Sequence, residues 1–76
     1  MRRLAVDSET IASIGYHHVR RELEIEFREN GDVYRYFDVS ADEHREFMVA
    51  ESKGSYLNRV FKAKDHPYKV VRRGRK

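Results

Sequence analysis

The chain has no cysteine and one proline, Pro67, among its 76 residues. Without thiols there is no disulfide framework, no thiolate zinc site and no cysteine nucleophile, and the composition suits a reducing cytoplasm. Long apolar runs are also missing. The longest, Phe47-Met48-Val49-Ala50, has four residues, far below the roughly 20 that cross a bilayer as a helix. The opening "MRRLAVDSET" has two arginines but no apolar core of signal-peptide length. The expectation is a cytoplasmic protein with no membrane partner.

Chemistry-bearing patterns are equally sparse. The four histidines, His17, His18, His44 and His66, show no ligand spacing such as His-x-x-x-His, so neither a metal nor a cofactor is expected. No glycine-rich phosphate loop, nucleophile elbow or Ser-His-Asp order occurs. A catalytic pocket of about 300 Å³ or more is hard to spare in so small a core. An enzyme is not expected.

What is present is charge and aromatic mass. Five tyrosines and four phenylalanines argue for a packed centre in a chain that is 38% charged. The length suits one domain, burying about 60% of its unfolded surface. Residues 1–61 hold nine Lys/Arg and twelve Asp/Glu, net −3, whereas residues 62–76 hold seven Lys/Arg and only Asp65, net +6. A mildly acidic body with a basic end is a common footprint of nucleic-acid or anionic-surface contact.

Residues 10–17, "TIASIGYH", read as a strand in which Gly15 marks a bulge or a close backbone approach. "HVRR" (18–21) is the turn out of it. "ELEIEF" (22–27) alternates strictly, placing Leu23, Ile25 and Phe27 on one face and three glutamates on the other. "ENGD" (29–32) is a hairpin signal, because Asn-Gly suits the positive φ of a type I′ turn. "VYRYFDV" (33–39) returns as the next strand. Ser40 and Glu43 form a capping box that opens a helix over 40–52. Gly54 suits a left-handed cap, and Ser55 opens a second helix over 55–63 with Tyr56, Leu57, Val60 and Phe61 as its apolar stripe. The tail extends through Tyr68, Val70 and Val71 and frays from Arg72. The predicted fold is α+β: a small antiparallel three-stranded meander, βββαα, with two short helices packed on one face. A 1–7 arm precedes a single domain over 8–71, and a basic tail occupies 72–76.

A two-residue Asn30-Gly31 loop would pair Phe27 with Tyr34, Ile25 with Tyr36 and Glu26 with Arg35. Opposed residues share a face, so Tyr34 and Tyr36 join the apolar side under the helices. A three-residue loop would flip the strand and bury Arg35 opposite Ile25, which is costly. The core-facing arrangement is therefore preferred over an open base-stacking platform.

"IASIGY", "LEIEFRENGDVYRYFDV", "AESKGSYLNRVFK" and "HPYKVV" resemble the KTSC domain family. That small family is named for a segment at the C-terminus of some lysyl-tRNA synthetases and also occurs as a stand-alone bacterial protein. The resemblance covers residues 8 to about 71. It centres on the Tyr34-Arg35-Tyr36 motif and on the run of Ser52, Gly54, Tyr56 and Asn58. It implies no established activity; attachment to a synthetase suggests RNA. The final "RRGRK" lies outside the pattern.

Two candidate sites follow. Arg59, Lys62, Lys64, Lys69, Arg72, Arg73, Arg75 and Lys76 could neutralise phosphates, each ion pair adding about −0.7 to the log–log salt slope on a single strand; otherwise they form a solvated helix face and end. The polar turn of Ser52, Gly54, Ser55 and Asn58 could hold a phosphate on helix amides, or be only a helix–helix corner. The expected function is a small accessory domain binding RNA or another polyanion through its basic end. The alternative is a protein-interaction module that docks a partner at its acidic face or a free sheet edge.

Overall fold

Alternating apolar residues build the sheet, and it is larger than the sequence pattern indicates. The structure, a computed structural model, describes residues 1–74. Five strands, β1 (Arg3–Ala5), β2 (Ile11–His17), β3 (Glu22–Phe27), β4 (Val33–Tyr36) and β5 (Tyr68–Arg72), pair antiparallel in the order β1-β2-β3-β4-β5. The three-stranded meander is thus the centre of a five-stranded sheet, and the fold is α+β. Both added strands come from segments expected to be an arm and a tail. β1 is only three residues long and β5 is half exposed, so neither carries the alternating pattern that announces a buried strand.

The hairpin register differs from expectation by two residues. Leu23 pairs with Tyr36, Glu24 with Arg35 and Ile25 with Tyr34. The loop has four residues, Arg28–Gly31, rather than two. Its Gly31 amide returns to the Phe27 carbonyl at 2.8 Å, and the Phe27 amide bonds the Asp32 carbonyl at 2.9 Å. The Asn30 side chain takes the Asp32 amide at 2.9 Å, and only Gly31 of the Asn-Gly pair has positive φ, 79°. A slip of two keeps every side chain on its face. Tyr34 and Tyr36 therefore stay on the apolar side, but Arg35 meets Glu24 instead of Glu26.

Ile11, Ile14, Leu23, Ile25 and Tyr36 from the sheet meet Val39, Phe47, Leu57 and Phe61 in one core. Helix α1 (Ala41–Val49) opens on the expected capping box: the Ser40 hydroxyl accepts from the Glu43 amide at 3.1 Å, and the Glu43 carboxylate accepts from the Ser40 amide at 3.0 Å. Helix α2 (Lys53–Tyr56) starts earlier than expected, because Ser52 and not Ser55 is its N-cap. Gly54 lies in its first turn, without positive φ. A Cβ there would come within 2.7 Å of the Thr10 hydroxyl, so the glycine serves close helix–loop packing and not a left-handed cap.

After α2 the chain widens into a π-helical turn, Leu57–Phe61, in which the Lys62 amide bonds the Leu57 carbonyl five residues back. A 3₁₀ turn, Lys62–Lys64, follows, ending at Asp65 with φ 57°. The wide turn keeps Leu57 and Phe61 inward and leaves Val60, expected in the apolar stripe, 38% exposed. At the other edge, a Cβ on Gly15 would meet the Arg2 carbonyl oxygen at 2.6 Å, so Gly15 admits β1. The bulge of β2 lies between Ile11 and Ser13 instead. No helix among the described residues is long and apolar enough to cross a membrane.

Candidate functional site

The helices cover β2 to β4 but stop short of β5, and the uncovered corner is lined by aromatic rings. Tyr34 stacks on Tyr68 with centroids 5.4 Å apart and planes 17° from parallel, and lies 6.3 Å from Tyr36. Tyr36 meets Phe61 edge-on at 5.0 Å. Together with Lys62, Asp65 and His66 these rings line an open groove of about 370 Å³. A recess of about 250 Å³ shares Tyr34, Tyr36 and Lys62 with it and runs on to Phe27, Glu29, Asn30 and Asp32. The small domain therefore does spare space of pocket size, at the margin of its core.

The tyrosines divide into two kinds by what their hydroxyls do. Tyr16 donates to the Val39 carbonyl at 2.6 Å and Tyr56 to Glu46 at 3.2 Å; both hold the fold. Among the described residues the hydroxyls of Tyr34, Tyr36 and Tyr68 have no protein partner, yet none is a buried unsatisfied atom. They are open to a ligand. Burial, with Tyr34 and Tyr68 adding to it, pushes the Tyr36 hydroxyl up to about 12, so it stays a donor at any physiological pH. One wall is fixed by His66, whose ring packs on Phe61 at 5.0 Å and whose Nε2 lies 2.6 Å from a Glu43 oxygen. Tyr34 and Tyr36 are thus core-facing as expected, and they also form this groove.

The expected phosphate contacts fall into three groups. Lys62 lines the groove, and Arg59, Lys64 and Lys69 form no ion pair with a described acid. Arg72 and Arg73 do not fray. Arg72 reaches Glu26 at 3.3 Å and the Gly31 carbonyl at 3.2 Å; Arg73 reaches Asp32 at 3.1 Å, and the Gly74 amide donates to the same carboxylate at 2.7 Å. Arg75 and Lys76 lie outside the described residues.

Ser52, Gly54, Ser55 and Asn58 do come together, in a cleft of about 390 Å³ shared with Asp7, Ser8, Glu9 and Thr10. It does not suit a phosphate. Asp7, Glu9 and Glu51 stand there against Lys53 alone, and the Ser52 hydroxyl is already the cap of α2, accepting from the Ser55 amide at 3.2 Å. The corner reading fits these four residues.

The glutamates of β3 also depart from expectation. Glu24 is not a solvated surface acid: its side chain is only 4% exposed, held by Arg3 at 2.9 Å and by Arg35 at 2.6 Å. Ser13 donates to Glu26 at 2.7 Å. The glutamates of the outer face are tied into an ionic network, beside which Lys69, opposed to Arg35, forms no ion pair with a described acid. Sequence reasoning missed the network, together with Tyr68, His66 and Gly74. Only Tyr68 left a signal: an aromatic in a segment already expected to be extended.

The KTSC domain model matches residues 7–64. An uncharacterised protein of Stutzerimonas stutzeri (strain A1501) is 35% identical over 68 residues, 90% of this chain and 94% of its own length. The crystal structure of a KTSC domain protein from Yersinia pestis superposes with a TM-score of 0.86 at 41% identity, covering 93% of this chain and 97% of that one. Both edge strands, β1 and β5, fall outside the 7–64 match.

Proposed function

The chain belongs to the KTSC domain family, and we propose that it is a non-catalytic binding domain that holds single-stranded nucleic acid, RNA above all, at the tyrosine groove. One observation carries the reading: among the described residues, three tyrosines at the sheet margin have no partner for their hydroxyls while the other two use theirs to hold the fold. Aromatic faces stack bases of any sequence, each worth about 1–3 kcal/mol. The free hydroxyls are donors and acceptors for base edges or the ribose 2′-OH. Lys62 at the groove, with Arg59 and Lys64 nearby in sequence and in no ion pair with a described acid, supplies phosphate contacts that fix position more than sequence, whereas Lys69, opposed to Arg35, lies on the outer face. The rings lie too close to one another to admit a base between them, so the base caps the outer face of Tyr68, which is 58% exposed.

This moves the binding site from the tail to the groove and the turn that flanks it, because Arg72 and Arg73 are spent internally. We read the His66–Glu43 pair at the groove as a brace of the helix cap and not as acid–base machinery, because the same carboxylate accepts from the Ser40 amide. The test is fluorescence anisotropy of an end-labelled single-stranded RNA across a salt series. Binding at low salt that weakens linearly in log–log form supports the reading, with a slope of about −0.7 per phosphate contact. No binding at low salt, or binding indifferent to salt, overturns it. β5, whose outer edge is paired with no described strand, then leaves strand addition by a protein partner as the surviving reading.

A further inference from the structure

The end of the described chain is docked, and its docking site is a wall of the groove. Arg73 and the Gly74 amide take one oxygen each of Asp32, at 3.1 and 2.7 Å, and leave that side chain 9% exposed. Arg72 adds bonds to Gly31 and Glu26. Only glycine fits at position 74: a Cβ there would overlap the Asn30 carbonyl and come within 2.6 Å of the Gly31 Cα. Asp32, Asn30 and Glu29 in turn line the recess that continues the groove past Tyr34 and Lys62.

The charges of that recess depend on the docking. With Asp32 neutralised by Arg73, the described charges left are Glu29 and Lys62, one of each sign. With Asp32 released, they sum to −1, against an incoming phosphate. We propose that Arg72–Gly74 is a latch which, by neutralising Asp32, keeps the hairpin end of the groove acceptable to an anionic strand. Arg73 is then a positioning residue that acts through Asp32, not a phosphate contact. The inference rests on the nucleic-acid reading of the groove and adds what that reading requires of the tail.

Gly74→Ala separates the two roles of the tail, since it opens the latch sterically without altering charge. The experiment measures Kd of the full-length protein for a labelled single-stranded RNA at low salt. The variants are Gly74→Ala, Arg73→Ala, Asp32→Asn and Arg73→Ala with Asp32→Asn. Their amide spectra report whether the fold and the latch persist. The latch requires Gly74→Ala to raise Kd about five-fold despite unchanged charge, as exposure of a like charge does. It also requires the Arg73→Ala loss to shrink to near nothing when Asp32→Asn is present. A tail that simply supplies cations gives the opposite pattern: Gly74→Ala binds as tightly as the unaltered protein or more so, and Arg73→Ala costs the same whether or not Asp32 is replaced. Either result with normal binding by the unaltered protein overturns the latch alone. Absence of binding by the unaltered protein overturns the groove reading and the latch with it.

Discussion

The outer face of the sheet and the groove at its margin are built from the same strands and end in opposite states. On the outer face β3 and β4 present Glu24 and Arg35, and β1 lays Arg3 across them, so that a carboxylate 4% exposed is clamped from both sides. Glu26 is met by Ser13 and Arg72. The carboxylates there are held by the fold. On the helix side the same β4 presents Tyr34 and Tyr36, whose hydroxyls find no partner among the described residues and beside which Lys62 forms no ion pair with a described acid. A surface that satisfies itself has little left for a ligand, whereas one that leaves good donors open in a concavity has kept them available. Counting charged residues does not separate the two; asking where each charge goes does.

The comparison breaks most visibly at Glu24. Glu24→Ala leaves two guanidinium groups, each about a quarter exposed, facing one another without their shared partner. Because they can partly rehydrate, the expected loss is about 2–3 kcal/mol, below the cost of a fully buried break. That is a large share of the stability of a domain this size. Urea unfolding measures it. RNA affinity of the folded fraction should not change. At the groove the pattern inverts. Tyr68→Ala removes a ring that is 58% exposed but stacked on Tyr34 and packed against Tyr36, and should lower stability by about 1 kcal/mol, well below the Glu24 loss. It should weaken RNA binding by about 1–3 kcal/mol, roughly 5- to 150-fold. Tyr68→Phe keeps the stacking face and should retain most of the affinity. Equal stability losses at Glu24 and Tyr68 would show that the two regions do not differ in kind.

Smaller effects sharpen the contrast. Lys62→Ala should lower the magnitude of the salt slope by about 0.7 without moving the unfolding midpoint; Arg72→Ala should do the reverse, lowering the midpoint slightly and leaving the slope. The smallest expected effect is pH-dependent. Burial works against the Glu43 charge, but the bond from the Ser40 amide, and then His66, hold its carboxyl below the usual glutamate value. A depressed carboxyl stabilises fully above its unfolded value, about 4.3, and that contribution is lost as pH falls through the lowered one. Glu43→Gln keeps the capping-box bond but removes the charge that faces the helix N-terminus and His66; it should therefore cost about 0.3–1 kcal/mol at neutral pH, and the gap to the unaltered protein should close as the solution is acidified through that range. Urea midpoints at several pH values measure it.

How much of this could be read from the sequence depends on the range of each signal. The capping box of Ser40 and Glu43, the alternation of Leu23, Ile25 and Phe27, and the face of Tyr34 and Tyr36 are local patterns, and each is found in place. The hairpin register was two residues off because the Asn30 side chain caps the Asp32 amide and lengthens the loop, a choice that the Asn-Gly signal does not specify. The groove was not legible. It needs Tyr68, 34 residues away in sequence, brought beside Tyr34 by the pairing of β4 with β5, in which Tyr34 opposes Val70 and Tyr36 opposes Tyr68. The clamp on Glu24 likewise needs β1, too short to announce itself. The basic tail was legible as charge but not as structure, since Asp32, which holds it, lies 41 residues from Arg73.

The most direct test of the groove as the binding site is an amide chemical-shift titration with a short single-stranded RNA at low and at physiological salt. The account expects the largest shifts at Tyr34, Tyr36, Phe61, Lys62 and Tyr68, fading as salt rises, with Glu22, Glu24 and Arg35 unmoved. Shifts centred on the outer face, or a flat titration at low salt, would contradict it.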